Sequence, residues 1–506
     1  MQQVVGGWSR LLRDYIRLQL LSSECGLIST GVPLELGGQL TLLWANLRIL
    51  LTDGDGHRIA LDWNGASSIK PCFRHWNVIG RDDAGRLQHA PSDEYCDITE
   101  SDTSKFKIWG KADFEQMADT LVAADQGAAG ITQTKLKEMR KALGFKITKD
   151  SLLACHQLRA HINWQMVCRY DWVHTFLSGG VLTNALWNLV HRAEQVKAAT
   201  QADVCAFLKQ NWMVPMHRRK GGRALWRIFD EHWAASNREH GTVKCSCSEL
   251  LSLYGLMRYW AMVVLPRASG PDALAALAGP TQSFLLACGC VDIILQAKTQ
   301  RMPVAQAGDA LRRTVSAWMD SHKTHFGVGE IKPKAHWAFD VADQLRVDPM
   351  VFDTFVVERM HLRVRAAADH IKHLEGYEDS VLARLTNAQL RTVQCAMPPR
   401  RLVGATTSFP GIRSALAADS LEWHGRYASV GDVVRHGDAI GKVVCCAEDN
   451  CELFVVCDLY SLGSMCSSRS GTWVSRGARC VWHASETQEV LAWQEVTRGS
   501  ILVIVA

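Results

Sequence analysis

Apolar and polar positions change their spacing several times along the chain. Residues 1–21 place apolar side chains three and four apart around Arg10, Arg13, Asp14 and Arg17, which predicts an amphipathic helix. Residues 39–51 are mostly apolar and run into Thr52-Asp53-Gly54-Asp55-Gly56. That is the pattern of a buried strand delivering an acidic residue into a tight turn, although an amphipathic helix lying on a core reads much the same. Residues 60–110 are irregular and rich in Gly, Ser, Pro and Asp, and helical spacing returns over 111–150.

From 155 to 400 helices dominate. Apolar spacings of three and four mark 182–200, and Ser246-Cys247-Ser248-Glu249 is a helix start ahead of the apolar run 250–265. Helices are also expected over 273–295, 304–325 and 355–374. Pro398-Pro399-Arg400-Arg401 closes this region, and 396–425 reads as a linker. Beyond it the apolar runs shorten to 432–434, 440–446, 452–459, 472–474, 478–482 and 501–505, most of them separated by turn residues. Short strands spaced in this way predict a small all-β barrel or sandwich over 426–506.

Composition refines this outline. A chain of 506 residues is too long for one core. With 47% hydrophobic and 21% charged residues it has the make-up of an ordinary globular protein. No run approaches the roughly 18 consecutive apolar residues of a membrane span, and charges interrupt the N-terminal helix, so neither a transmembrane segment nor a signal peptide is expected. The 17 cysteines are scattered, many inside apolar runs, which reads as free thiols in the nucleus or cytoplasm. A net charge of +5 permits nucleic-acid binding without requiring it.

Several constellations carry candidate chemistry. Asp53-Gly54-Asp55-Gly56 lacks the further oxygen ligands of a calcium loop and reads as a turn. Cys72 and His75 have the spacing of a zinc half-site, or of a structural turn; Cys96 and His89 do not make a matching second half. Asp171 and His174 share a helical face, as an acid–histidine pair or as a helix-start carboxylate beside a satisfied histidine. His336 with Asp340 and Glu358 with His361 repeat that theme. Arg218, Arg219, Lys220 and Arg223 form a basic loop suited to phosphates or to nuclear import, or simply to solvent.

Taken in order, these segments resemble transposase-derived proteins abundant in protist genomes, particularly dinoflagellates, which are distantly similar to the DDE transposases of CACTA-type elements. The resemblance runs over roughly residues 5–390. It is carried by Asp53 with Asn64-Gly65-Ala66-Ser67, Lys70-Pro71-Cys72-Phe73-Arg74-His75-Trp76-Asn77-Val78, Tyr170-Asp171-Trp172-Val173-His174, Ser248-Glu249-Leu250-Leu251-Ser252-Leu253-Tyr254, Lys332-Pro333-Lys334-Ala335-His336-Trp337 and Phe355-Val356-Val357-Glu358-Arg359-Met360-His361.

The resemblance implies an α/β fold with a large helical excess: a degenerate RNase H-like core within 1–150, with a Cys/His-containing insertion, completed by helices over 151–395. Two divalent metals, Mg²⁺ or Mn²⁺, would sit between acids and drive DNA strand cleavage and transfer. Asp53 would be the second catalytic acid and Glu358 the third, both holding metal. Asp171 and His174 would support the site, and Cys72 and His75 would shape an insertion beside it. DNA would be the partner, with self-association. The first catalytic acid should lie well upstream of Asp53. Asp14 stands instead in an amphipathic helix, and Asn64 replaces a frequent Lys, so the expectation is a truncated, catalytically incompetent derivative. The alternative is a non-catalytic scaffold whose β module binds peptide or nucleic acid.

Overall fold

The computed structural model describes residues 7–36, 39–80, 93–127, 130–210, 212–214, 224–354, 401–409, 415–423, 426–467, 469–487 and 489–504, with four isolated positions between 380 and 387. It is a mixed helical and sheet structure whose C-terminal region is all-β. The chain divides into two compact units, one of residues 1–185 with 289–354 and one of 186–288 with 355–506.

In the first unit, helix Gly7–Leu21 buries Ser9, Ile16 and Leu20 and leaves Trp8, Leu11, Tyr15 and Leu18 outside. The expected strand over 39–51 divides in two. β1 (Val32–Leu36) and β2 (Gln39–Leu43) form an antiparallel hairpin, and the separate β3 (Leu50–Thr52) runs into Asp53. Asp53 does not enter a tight turn. It is the N-cap of helix Gly54–Ala60, its Oδ1 accepting from the Gly56 amide at 2.7 Å. An acidic residue ahead of two small glycines suits a helix start as well as a turn, and the buried His57 and Ala60 decide for the helix.

β4 (Val78–Ile79) and β5 (Cys96–Asp97) pair in parallel, as do β3 and β6 (Cys168–Tyr170), Thr52 lying opposite Tyr170. Among the described residues of this unit no sheet exceeds two strands. Helices supply the rest: the expected pair Lys111–Asp125 and Gln133–Leu143, then Val304–Phe326 packed on Pro333–Val347.

In the second unit, the predicted start at Ser246 is a capping box with Glu249, opening helix Cys247–Tyr259. Residues 401–423, read above as a linker, hold four strands: β7 (Arg401–Val403), β8 (Thr407–Ser408), β9 (Leu416–Ala418) and β10 (Ser420–Trp423). They are too short to show a period, yet Leu421 and Trp423 enter the β core. β11 (Arg426–Ser429) pairs with β10.

The ring that follows is β12 (Val433–His436), β13 (Ala439–Asp449), β14 (Glu452–Ser467), β15 (Ser470–His483), β16 (Glu489–Thr497) and β17 (Ser500–Ile504). β12 pairs with both β13 and β16, which closes the sheet on itself as a barrel. The runs at 472–474 and 478–482 belong to the single strand β15. The barrel shares its compact unit with helices of 186–288. Met213 and Trp493 exchange backbone hydrogen bonds at 2.8 and 3.1 Å, and Gly255 lies under Ile504.

One helix, Pro271–Lys298, is long and apolar enough to cross a membrane by length and composition. Phe284, Cys288, Val291 and Ile294 on it are fully buried in protein, as in a core helix. The cysteines of the described residues are free thiols.

Candidate metal centre

Pro71 to His75 form a tight turn in which the His75 amide approaches the Cys72 sulfur at 3.5 Å. The turn is pinned outside by Trp76 N–H to Lys107 and Trp109 N–H to Arg74 carbonyl, each 3.0 Å. Pro333 opens helix Pro333–Val347 at a position where no amide hydrogen is needed. His336 and Asp340 follow one turn apart on its inner face, both wholly buried. Trp337 donates from Nε1 to the Pro71 carbonyl at 2.8 Å and so fastens helix to turn. Gly54 makes room for that indole, since a Cβ there would lie 2.5 Å from it.

These elements bring Cys72, His75, His336 and Asp340 together, with one ligand atom of each within 4.8 Å of all the others. Cys72 Sγ is 3.5 Å from His75 Nδ1 and 3.5 Å from Asp340 Oδ2. His75 Nδ1 is 3.0 Å from His336 Nε2 and 3.7 Å from Asp340 Oδ1. The buried group can hold a metal ion.

Burial and neighbouring charges set the protonation of the group. Burial, then the positive Arg74 and Arg312, push His75 down to about 3. Burial and the neighbouring His75 push His336 to about 3. Both rings are therefore neutral, the state in which imidazole binds metal. Burial and the Asp340 charge push the Cys72 thiol well up, so its proton stays until something displaces it. Arg74 donates to Asp340 Oδ1 at 2.9 Å and balances that carboxylate in the interior.

The sequence-predicted acids are arranged differently. Asp171 follows β6 as Asp53 follows β3, so the two leave the same ends of adjacent parallel strands. Asp171 is buried and fully engaged. It accepts from the Val173 and His174 amides at 3.2 and 3.1 Å and from the Thr354 hydroxyl at 2.6 Å, and it pairs with His174 Nδ1 at 2.6 Å. Burial pushes its carboxyl up, but these hydrogen bonds outweigh that and bring it below the ordinary value. Asp14 lies on the N-terminal helix among Arg10 and Arg13. Asn64 donates to the Arg140 carbonyl at 2.8 Å. Glu358, His361, Arg218, Arg219, Lys220 and Arg223 lie outside the described residues, as does the whole of the helix expected over 355–374.

Sequence spacing identified Cys72 and His75 as half a site and His336 and Asp340 as a separate acid–histidine pair. It did not join them, and the signal that would have done so is the complementarity of two half-sites, each missing two donors. No protein-family model, curated protein or solved structure matches the chain.

Proposed function

We propose that Cys72, His75, His336 and Asp340 form a structural zinc site, and that the unit it fastens is a DNA-binding, non-cleaving derivative of a DDE-type transposase. The observation that carries the zinc assignment is the shape of the cluster. Zinc bonds of about 2.0–2.3 Å at tetrahedral angles set donor-to-donor edges of about 3.3–3.6 Å. Three donor pairs stand 3.5, 3.5 and 3.0 Å apart, near those values, and one ligand atom of each of the four residues lies within 4.8 Å of the others. One thiolate, two imidazoles and one carboxylate suit zinc, whereas Mg²⁺ prefers oxygen donors and retained waters. Four protein donors close the coordination sphere and leave no position for substrate, which is the arrangement of a structural site.

The transposase ancestry rests on the ordered motifs and on Asp53 and Asp171 leaving adjacent parallel strands. That is how an RNase H-like core presents acids to two metals. Loss of cleavage is favoured because both carboxylates are committed to capping helices, Asp171 with every approach occupied by donors. A soluble chain in the nucleus or cytoplasm suits the free thiols and the buried apolar helix.

Elemental analysis of the chain purified without chelator tests the metal. One zinc per chain is expected, and its loss in Cys72→Ser; a wild-type chain free of zinc overturns the assignment. Incubation of DNA with the chain and Mg²⁺ or Mn²⁺ tests the second part. Neither nicking nor joining is expected, and cleavage abolished by Asp53→Ala refutes the non-cleaving reading.

A further inference from the structure

Trp8, Leu11, Tyr15 and Leu18 recur three, four and three residues apart along helix Gly7–Leu21, so they form one stripe on its surface. The other side of the helix, with Ser9, Ile16 and Leu20, is packed into the first unit. The stripe faces water: Trp8 is 58% exposed and Leu18 61%. A helix that has already buried one apolar face has no need of a second for its own folding.

The chain that leaves this helix sets a further exposed apolar surface beside it. Leu27 and Ile28 donate to the Gln19 and Leu20 carbonyls at 2.9 Å each, and Ala45 donates to the Leu27 carbonyl at 3.0 Å. These bonds tie the foot of the β1–β2 hairpin to the end of the helix. Every residue of β2 is exposed, Leu40 to 78%. Among the described residues β2 pairs with β1 alone, which leaves its outer edge open to another strand. A two-stranded hairpin is marginal in water by itself.

From Trp8 to Trp44, nine large apolar side chains are at least 37% exposed. They leave on the order of 900 Å² of apolar surface in water, about one partner's share of a standard stable interface. The stripe is complementary to itself. In a closed pair, residue i meets j on the partner while j meets i. Spacings of three, four and three read the same from either end. Two such helices crossing antiparallel set Trp8 against the partner's Leu18 and Leu11 against the partner's Tyr15. The charges beside the stripe match in the same way. Arg10 and Asp14 flank it one turn apart, 3.8 Å from each other, so each can also reach its opposite on the partner. Arg13 is turned to the Lys149 carbonyl at 3.3 Å and puts no charge on the stripe.

We propose that helix Gly7–Leu21 and the β1–β2 hairpin form the surface on which a second copy of this chain docks, giving a two-fold symmetric dimer. Neither the metal nor DNA takes part in the contact.

Sedimentation equilibrium of the full-length chain over a wide range of concentration tests this. A reversible dimer is expected, with no larger species. Tyr15→Glu in the stripe and Leu40→Glu on the hairpin alter exposed positions, and each should weaken the dimer roughly 30-fold or more, as loss of an interface hot spot does. Tyr15→Ser, which removes the ring without adding a charge, should weaken it in the same direction. Val347→Glu, at an equally exposed apolar position outside this surface, should leave the dimer intact. A wild type that stays monomeric, that binds vesicles of anionic lipid instead of pairing, or that grows past the dimer overturns the proposal. So does a dimer that Tyr15→Glu or Leu40→Glu leaves unchanged.

Discussion

His75 Nδ1 and His336 Nε2 stand 3.0 Å apart although 261 positions separate them in the chain. Both rings are neutral, so one nitrogen must donate and the other accept, and the shared proton occupies part of the space a metal ion would take. His336→Gln should therefore abolish zinc retention while keeping a side chain able to hydrogen-bond His75. A ligand that binds only the folded chain stabilises it by about 2.7 kcal/mol when present at 100 times its dissociation constant. Chelator should lower the melting temperature of the wild type and leave that of His336→Gln unchanged. Equal chelator sensitivity of the two proteins would show that the metal binds elsewhere.

Acid should weaken the metal-free protein through its buried histidines, His75 and His336 of the cluster and two more outside it. His57 donates to the Arg169 carbonyl at 2.9 Å between the rings of Phe73 and Tyr170, and burial pushes it from 6.5 down to about 4. Burial does the same to His322, again to about 4. Between those values the unfolded chain binds protons that the folded chain refuses. Stability is then level above pH 6.5 and falls as the pH drops toward 4, by at most about 1.4 kcal/mol per pH unit for each histidine. Denaturant midpoints of chelated protein on either side of pH 6.5 measure this. His57→Gln should flatten part of the slope, and a midpoint independent of pH over that window would contradict the assignment.

The two strand-end carboxylates should differ in stability rather than in chemistry. Asp53→Ala removes one capping bond at a half-exposed helix start and should cost about 1 kcal/mol. Asp171→Ala strips the His174 and Val173 amides, His174 Nδ1 and the Thr354 hydroxyl of one buried acceptor. Its cost should be on the order of 3 kcal/mol. Chemical denaturation of both variants tests the ranking. A larger loss from Asp53→Ala would mean that its carboxylate does more than cap.

What the sequence revealed and what it concealed follow from the range of the signals. Ser246 and Glu249 announce a helix because the capping box closes within four residues. Cys72 with His75 and His336 with Asp340 are each visible for the same reason. Their union depends on how turn and helix meet in space, which spacing does not encode. In the barrel, register shifts between Asp458 and Tyr460 and again between Leu462 and Ser464 reset the alternation of inward and outward side chains. Strands of 14 and 16 residues therefore read as several short ones. The strands of 401–423, two to four residues long, carry no period at all, and only pairing with their neighbours defines them.

Gly308 controls how closely helix Val304–Phe326 approaches the helix that carries His336 and Asp340. A Cβ at this position would lie 2.7 Å from the Ala342 carbonyl oxygen and 2.8 Å from the Arg346 nitrogen, and backbone atoms cannot turn aside as a side chain can. Gly308→Ala gains about 1 kcal/mol of helix propensity but must push the two helices apart, at a cost of about 1–3 kcal/mol. The shift would strain the Arg346–Asp309 pair, 2.9 Å apart across the contact, and the neighbouring Arg312–Asp343 pair. It would also draw His336 and Asp340 away from Cys72 and His75. Gly289→Ala is the matched control, because its Cβ would meet only Thr314 Cγ2 at an ordinary 3.7 Å. Gly289→Ala should hold or raise the melting temperature and keep zinc affinity. Gly308→Ala should lower both, and lower the first less once chelator has removed the metal. Equal behaviour of the two variants would show that the helix contact does not set the geometry of the cluster.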